Sequence, residues 1–466
     1  MSTLAQTLAD FAADLTFEQL PAEVVRSVEL RMLDTLGICL ASRSFGLGYG
    51  VEQMVDLWGG AQQAQVIGGT ERYPAPNAAL INGTLAHSLD FDDTHLPSVL
   101  HPSASIVPAV LAAAQSAGRG GREALVAAAI GIEVTVRLGM AGYLPQAGNV
   151  YFERGWHATS ICGTLGCAVA AARLFGLDAE GILNALGIAV SFGSGVIEGN
   201  RAGGTVKRVH CGWAAHAGMT AAALAHQGMT GPPTALEGRF GFFEAFLSGQ
   251  FDRAPVTDGL GEHWEIPGIL FKPYPANHYT HAGIDAGRAI RRRLNGVVDV
   301  DQVERIELGS AASPLRTIGE PREEKVRPRT GYHAQFSGPF TVAAALLGGG
   351  GLGVYFDDFS DAMARDPARL SLAAKVETFV DEECDALFPR AFPAVLRLRL
   401  RDGRIFEERV MRNRVLSEDE VRRKFDLNAG LWLGADAVSR VADAVFGIDR
   451  LDDVGRITSM TSRSIP

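Results

Sequence analysis

Three carboxylates and several histidines crowd one short stretch of the chain. Asp90, Asp92 and Asp93 lie at the C-terminal end of a predicted helix of about residues 77 to 90, and His101 opens the next predicted helix. Carboxylates there face the negative end of the helix dipole, so a cation or a change of protonation should offset them. One interpretation is a site in which an aspartate orients a lysine or a histidine and His101 moves protons. A Mg²⁺ site and simple capping of the loop are the alternatives.

A glycine-punctuated helix start follows at residues 155 to 166, and His157 lies just before it. The unpaired N–H groups of a helix N-terminus attract a carboxylate as well as a phosphate. The glycine spacing does not match a P-loop, and no predicted strand precedes it as a dinucleotide fingerprint requires. Nucleotide binding is therefore not expected, and His157 is either a candidate acid or base or an ordinary loop histidine.

Lysine is rare in this chain: only five of the 43 basic residues are lysines. A lysine kept in a segment rich in Gly, His and Pro is therefore a candidate for a function that needs a compact ammonium group. Lys207 and His210 share a predicted helix face, where one carboxylate could hold both. Lys272 stands in KPYPANHY, whose prolines favour an extended backbone that would present Lys272 into a cleft. A surface salt bridge is the alternative for each lysine.

The combination of residue types indicates proton transfer on a small polyanion. The sequence contains no GxSxG nucleophile elbow, and no Cys/His nucleophile pattern or metal-ligand spacing stands out. Lysines and helix N-termini would hold carboxylates, while His and Asp side chains would move protons. We therefore predict no metal and no cofactor.

Composition excludes several classes of protein. The 466 residues carry 43 basic and 53 acidic side chains, a net charge of −10 without a dense basic run, which argues against nucleic acid or an anionic membrane as partner. No apolar run reaches the roughly 18 residues of a membrane span, and the N-terminus is acidic where a signal peptide is basic. Five scattered cysteines fit buried thiols. We expect a cytoplasmic protein.

The elements that must position these residues are mostly helices. Small residues dominate the helical patterns of the first 250 positions, predicted at about 22–42, 77–90, 103–117, 122–140, 159–175, 179–192 and 208–228. Strand patterns appear later, at 303–309, at 375–380 and around a hairpin turn at Asp402-Gly403. The sequence thus predicts a mainly α fold with a large all-helical domain (1–265 with 416–466) and a smaller α+β lid domain (266–415), separated by a cleft.

Seven segments, in this order along about residues 10 to 450, resemble the MmgE/PrpD family: NGTLAHSLDFDDTH with HPSASIVPA, GWHATSICGTLGCAVAAARLFGLD, KRVHCGWAAHAG, GPPTALEGRFGFFEAF, KPYPANHYTHAGIDA and YHAQFSGPFTVAAAL. That family includes 2-methylcitrate dehydratase, cis-aconitate decarboxylase and an iminodisuccinate epimerase. The resemblance implies a helical domain with an α+β lid, a homodimer, and an active site in the cleft.

The resemblance also assigns roles to individual positions. We predict catalytic roles for Asp93, His101, His157, Lys207 and Lys272. We predict substrate-binding roles for Thr94, His210, Tyr274 and His278. The lysines would bind and neutralise carboxylates, His101 or His157 would be base and acid, and Asp93 would orient one of them. The opposed effects of Asp93 and the following helix N-terminus would leave His101 titrating near neutral pH.

The implied activity is that of a metal-free hydro-lyase on a citrate-like di- or tricarboxylate. An epimerase or racemase, a cis-aconitate-type decarboxylase and a non-catalytic dicarboxylate-binding homologue are the alternatives. Phe340 stands where related sequences often carry Tyr, and the spacing from Asp93 to His101 is one residue longer than the decarboxylase pattern; both count against simple assignment as a decarboxylase. Substrate choice is expected to depend on loops such as 140–155 and 195–206.

Overall fold

The computed structural model describes residues 2–199 and 204–463. The predicted mainly α fold is confirmed. The N-terminal body contains helices α1 (Leu4–Asp14), α2 (Ala22–Ser44), α3 (Tyr49–Trp58), α4 (Ala75–His87), α5 (Ser103–Ala117), α6 (Gly121–Ala141), α7 (Val150–Glu153), α8 (Ala158–Leu174), α9 (Ala179–Ala189), α10 (Lys207–His226), α11 (Phe242–Leu247) and α12 (Ala254–Thr257). Two short antiparallel ladders, β1 (Ala64–Gln65) with β2 (Arg72–Tyr73) and β3 (Tyr143–Leu144) with β4 (Gly148–Asn149), interrupt this otherwise helical body.

Helix α6 is long and apolar enough to span a membrane, with a mean hydropathy of 1.7, although the sequence pattern predicted no such segment. Its Glu133 and Arg137 interrupt the apolar run and pair with each other at 2.8 Å inside the protein. Of the apolar window, 94% is buried in the body. This helix is therefore part of the hydrophobic core.

Helices α4 and α10 approach each other closely at a pair of glycines. A Cβ atom added to Gly83 would lie 2.7 Å from the Cα atom of Gly212, and one added to Gly212 would lie 2.2 Å from the carbonyl oxygen of Leu80. Only glycine fits at both positions. The contact brings the end of α4, which leads into the aspartate cluster, against the start of α10, which carries Lys207.

The lid combines short helices with one four-stranded sheet. Its helices are α13 (His281–Arg293), α14 (Ala312–Ile318), α15 (Arg322–Lys325), α16 (Gly331–Ala334), α17 (Gly338–Leu347), α18 (Pro367–Ala374) and α19 (Glu382–Leu387). Its strands are β5 (Val303–Ser310), β6 (Val376–Val380), β7 (Ala394–Leu400) and β8 (Ile405–Val410), in the order β6-β5-β7-β8. Strand β6 runs parallel to β5, and the other neighbours are antiparallel.

The predicted strands of the lid are confirmed. Gly403 has a φ of +89° in the turn between β7 and β8, a conformation that favours glycine. Leu396, Leu398 and Leu400 alternate with arginines along β7, and they are buried in the lid's core with residues of α13 and α17. The alternation seen in the sequence therefore separates a covered face from a more exposed one.

The C-terminal helices α20 (Glu418–Ala429), α21 (Ala435–Val445) and α22 (Gly455–Met460) return to the body. Phe425 and Val441 belong to the same core as the N-terminal helices. Ile266 and Ile269, which the predicted boundary assigned to the lid, also pack in that core. The division into 1–265 with 416–466 and 266–415 stays a prediction, and the chain leaves the body only after Leu270, which pairs with Thr94.

Candidate active site

A cavity of about 390 Å³ lies between the body and the lid. The body contributes Thr94, His101, His157 and Lys207, and the lid contributes His278 and Arg316 among others. Both loops expected to govern substrate choice reach it, the first through Phe152, Glu153 and Gly155 and the second through residues 196–198. Residues 200–203 of the predicted loop 195–206 lie outside the described residues.

Asp90 is the centre of a buried ionic cluster behind the cavity. Its carboxylate accepts hydrogen bonds from the Nζ atoms of Lys207 at 2.8 Å and Lys272 at 3.1 Å. Burial alone would raise the pKa of Asp90, but the two ammonium groups outweigh it and hold that pKa well below its usual range. These two lysines therefore supply part of the positive charge that the aspartate cluster was predicted to need.

The other two aspartates have cationic or hydrogen-bonding partners of their own. The carboxylate of Asp92 lies 2.7 Å from Nδ1 of His87. Burial would raise the pKa of Asp92, but His87 and Lys272 outweigh it and hold that pKa well below its usual range. The carboxylate of Asp93 pairs with Arg31 at 2.9 Å and accepts a hydrogen bond from the Ser103 hydroxyl. All three buried carboxylates therefore have neighbouring side chains that compensate their charge.

His101 is oriented by a peptide carbonyl, not by a carboxylate. Its Nδ1 atom lies 2.6 Å from the carbonyl oxygen of Asp93 and 3.2 Å from the hydroxyl of Thr94. A carbonyl can only accept, so Nδ1 carries the proton and Nε2 of the neutral ring carries the free lone pair. Asp93, predicted to orient a histidine, does contact His101, but through its peptide carbonyl, because its carboxylate faces Arg31.

The prediction that His101 titrates near neutral pH is wrong. Burial, together with the charges of Lys272 and Lys207, lowers the pKa of His101 to about 3. The ring is therefore neutral at physiological pH and offers an unprotonated Nε2. The main-chain N–H of His101 donates to the Thr159 hydroxyl at 3.2 Å, which ties this residue to the first turn of α8.

His157 and His210 form a second buried unit. Their Nδ1 atoms lie 2.9 Å apart, so one ring donates and the other accepts. Burial and the neighbouring cationic and histidine side chains lower the pKa of His157 well below its usual value and that of His210 to about 4. His157 lines the cavity, whereas His210, predicted to bind substrate, lies behind it.

The lid wall of the cavity has a different character. His278 lines it with Nδ1 buried and without a hydrogen-bond partner among the described residues. Arg316, at the cavity's edge, forms a two-point ion pair with Glu153 of the body, at 2.7 and 3.4 Å. Both side chains of that pair are about half exposed. One exposed bridge therefore spans the two walls.

Four predicted site residues do not line the cavity: Asp93 and His210, described above, and Lys272 and Tyr274. Lys272 is fully buried and donates to the carbonyl and the carboxylate of Asp90, because the pairing of Leu270 with Thr94 draws its segment against the aspartate cluster. The predicted presentation of Lys272 into the cleft is wrong. Tyr274 is also fully buried, and its hydroxyl contacts Asp285 and Arg288 on the far side of the lid segment. The structure gives it no contact with the cleft.

Three supporting residues escaped the sequence reasoning. Arg31 compensates Asp93, His87 pairs with Asp92, and Lys424 binds Asp34 at 2.9 Å and the carbonyl of Phe91 at 2.8 Å. Four of the five lysines are buried (Lys207, Lys272, Lys325 and Lys424). The rarity of lysine was a signal that could have found Lys424, whereas no local pattern marks Arg31.

The described part of the chain brings together one set of donors suitable for a metal ion: His87, Asp92 and Cys211, all within 4.8 Å of one another. His87 and Asp92 already bond to each other, and Nζ of Lys272 lies 3.8 Å from Asp92. An ammonium group beside the carboxylate repels a divalent cation. This arrangement fits an aspartate that orients a histidine better than a metal centre.

The cleft brings the side chains of His101, His157 and His278 together with the ammonium group of Lys207. Phe340, the departure noted in the sequence, lies in the apolar core of the lid and not in the cavity wall. Sequence comparison gives the family directly. The MmgE/PrpD N-terminal domain matches residues 6–254 and the MmgE/PrpD C-terminal domain matches residues 274–447, so the chain belongs to the MmgE/PrpD family.

Curated relatives are similar over nearly their whole length. The cis-aconitate decarboxylase-like protein oryM of Aspergillus oryzae is 26% identical, covering 98% of this chain and 96% of that protein. Cis-aconitate decarboxylases of Mus musculus and Homo sapiens are each 27% identical, covering 99% and 100% of this chain and 93% and 96% of those proteins. These relatives support an activity of lyase type.

Proposed function

We propose that this protein is a cofactor-independent lyase that removes a proton next to a carboxylate of a citrate-like di- or tricarboxylate. One observation carries the proposal: the unprotonated Nε2 of neutral His101 and the ammonium group of Lys207 belong to the same cavity wall. A base beside a cation suits the removal of a proton, because the negative charge left on the substrate spreads into the neighbouring carboxylate and is stabilised by the cation.

Substrate binding would change the protonation of the site. Lys207 on the body and Arg316 on the lid offer positive charge to carboxylates from two sides of the cavity. A bound polyanion adds negative charge beside His101, His157 and His278, which raises their pKa values. Binding would therefore be accompanied by proton uptake, and a histidine that gains a proton in this way can act as the acid.

The first candidate reaction is dehydration. Nε2 of His101 takes the proton from the carbon next to a carboxylate, and the resulting enediolate is stabilised by Lys207. His157, protonated on binding, gives its proton to the departing hydroxyl group, so water leaves and a carbon–carbon double bond forms. His101 returns its proton to His157 through solvent. Asp90 and Lys272 take no part in bond breaking but hold the Lys207 ammonium in place.

The names of the relatives favour a second candidate, decarboxylation of an unsaturated tricarboxylate. In that reaction a protonated histidine gives its proton to an alkene carbon, and the carbon–carboxylate bond then breaks to release CO₂. The electron pair of that bond re-forms a double bond within the product. The same cavity residues would serve, which is why the product has to be measured.

The test is an NMR assay in D₂O with methylcitrate, citrate, cis-aconitate and iminodisuccinate, run with and without EDTA. Water loss from a citrate-like acid supports dehydration, CO₂ loss supports the second candidate, and inversion without loss would identify an epimerase. The expected rates are the same with EDTA. A rate that falls with EDTA and returns with Mg²⁺ or Fe²⁺ would contradict cofactor independence, and no exchange with any of these acids would contradict the enzymatic proposal.

A further inference from the structure

A second concave surface lies outside the active-site cleft, where α13, the glycine-rich loop 348–353 and the start of α20 meet. It encloses about 770 Å³. Five arginine side chains line this arginine groove: Arg288, Arg291, Arg292, Arg414 and Arg423. On a chain with a net charge of −10, such a concentration of positive charge needs an explanation.

Tyr274 organises two of these arginines. Its hydroxyl donates to Asp285 at 2.5 Å and accepts from Nη1 of Arg288 at 2.5 Å and Nη1 of Arg414 at 3.1 Å. Because Tyr274 is fully buried, the two guanidinium groups are held around one fixed oxygen atom. The conformational entropy of these long side chains is thus already restricted before any ligand binds.

The glycine-rich loop packs directly on the same arginines. Arg291 donates to the carbonyl of Gly348, and a Cβ atom at Gly353 would lie 2.5 Å from Cζ of Arg288. Gly350 and Gly351 have φ values of +112° and +51°. Their N–H groups make no hydrogen bond to any described residue. The loop therefore adds two free backbone donors at a place where glycine lets the guanidinium approach.

The groove has an excess of positive charge. Asp285 pairs with Arg288 at 3.6 Å and Glu420 pairs with Arg414. Among the described residues, no carboxylate forms an ion pair with Arg291, Arg292 or Arg423. Arg292 and Arg423 are exposed and form neither an ion pair nor a side-chain hydrogen bond with the described residues. Like charges in one concavity repel each other, and an anion would relieve that repulsion.

We propose that the arginine groove binds a small molecule with adjacent phosphoryl groups, at a site separate from the active-site cleft. Guanidinium forks from two helices and free N–H groups of a glycine loop surround a tetrahedral oxyanion from several directions. The groove is larger than one phosphate requires, which favours two adjacent groups. This site does not depend on the lyase proposal, because it shares no lining residue with the cleft.

The test is calorimetric titration of the full chain with inorganic pyrophosphate at low ionic strength, without divalent cations. We expect one site that the double variant Arg292→Gln, Arg423→Gln weakens about tenfold or more, since both charges act directly on the anion. The variant Lys207→Met should bind pyrophosphate as the wild type does. Both substituted arginines are exposed, so thermal midpoints near the wild-type value should accompany the loss.

Three results would overturn the proposal: no binding of pyrophosphate, binding that the double variant leaves intact, or binding that Lys207→Met abolishes. The last would place the anion in the active-site cleft. Citrate, titrated into the Lys207→Met variant, distinguishes the ligand class. Citrate binding in the groove as tight as that of pyrophosphate would show a carboxylate site and contradict the phosphoryl assignment.

Discussion

The two walls of the active-site cleft differ in how far their charged side chains are exposed to solvent. On the body wall, Lys207 and Asp90 are 5% and 1% exposed and bonded to each other. On the lid wall, the side chain of Arg316 is 58% exposed and its partner Glu153 is 49% exposed. Charges in a low-dielectric wall act strongly and are weakly screened, whereas exposed pairs contribute little and respond to salt. Under the proposed lyase function, this difference predicts that the chemistry takes place on the body wall and that the lid wall contributes to substrate recognition.

The largest expected effect comes from removing the proposed base. His101→Gln should keep the fold and lower kcat by roughly 10²- to 10⁴-fold, the usual contribution of a general base. His226→Gln, an exposed histidine of the same body, is the matched control. Normal kcat per folded His101→Gln molecule would remove the base from the body wall and break the comparison.

The pH dependence of the wild-type enzyme sharpens this prediction. With its pKa lowered to about 3, His101 of the free enzyme stays neutral above pH 4, so it contributes no acidic limb to kcat/KM in that range. The bound polyanion raises that pKa, so kcat should fall on the acidic side at a higher pH than kcat/KM does. Coincident limbs for kcat and kcat/KM would contradict proton uptake on binding.

Removal of the ammonium group on the same wall should have the next largest effect. Lys207→Met should lower turnover about 10²-fold or more, as expected for the loss of one preorganised donor to a developing oxyanion. The fold should survive because Asp90 keeps its bond to Lys272 at 3.1 Å. Lys375→Met, whose ammonium binds carbonyls at the edge of the lid sheet, should retain normal turnover. Unchanged turnover in Lys207→Met, measured with thermal midpoints, would contradict the assignment.

The buried histidines should make the protein sensitive to mild acid. Six of them have lowered pKa values in the fold: His95, His101, His157, His210, His278 and His281. Below the ordinary histidine pKa of about 6.5, these side chains bind protons in the unfolded chain but stay neutral in the folded chain. The free energy of unfolding therefore decreases as the pH is lowered, by up to about 1.4 kcal/mol per pH unit for each histidine. Burial raises the pKa of Asp34 to about 6, so the folded chain binds one proton there before the unfolded chain does, and this partly offsets the loss of stability.

Denaturant unfolding between pH 4 and pH 8 measures this effect. Stability should be flat above pH 7 and decrease progressively below pH 6.5. His281→Gln should reduce the slope of the free energy of unfolding against pH by up to about 1.4 kcal/mol per pH unit, the contribution of one proton, and His226→Gln should leave the slope unchanged. A stability that is constant down to pH 4 would show that these histidines are not held neutral by the fold.

The smallest expected effect is on the lid wall. Arg316→Ala should raise KM by less than about tenfold and leave kcat unchanged, because an exposed and screened cation contributes uniform binding. The salt dependence of KM should weaken in this variant. Arg305→Ala, an exposed arginine of the lid sheet, is the control. A large loss of kcat in Arg316→Ala would move part of the chemistry to the lid and break the comparison.

Much of the architecture could be read from the sequence because local patterns determine it. The long helices and the lid strands start and end within a few residues of their predicted positions, since apolar spacing and turn residues act over short distances. The need for cations beside Asp90 was also predictable, because three adjacent carboxylates cannot be buried alone. The identity of those cations followed only in part.

The rest depends on tertiary contacts that no local pattern encodes. Lys272 turns toward Asp90 because Leu270 pairs with Thr94, 176 residues away in the chain. His101 is held by the carbonyl of Asp93, and a peptide group carries no sequence signature. Tyr274 shares a motif with Lys272 but points to the opposite side of the segment. Side-chain direction along an extended segment is thus the step at which sequence reasoning failed.

The glycine contact between α4 and α10 has a consequence for how this protein can diverge. A single methyl group at Gly83 or Gly212 would push apart the two helices that carry the aspartate cluster and Lys207. That crossing therefore has no room for a side chain, whereas the residues at 196–198 line the cavity itself. If this chain diverges to accept another substrate, we therefore expect the substitutions at the cavity loops and not at Gly83 or Gly212.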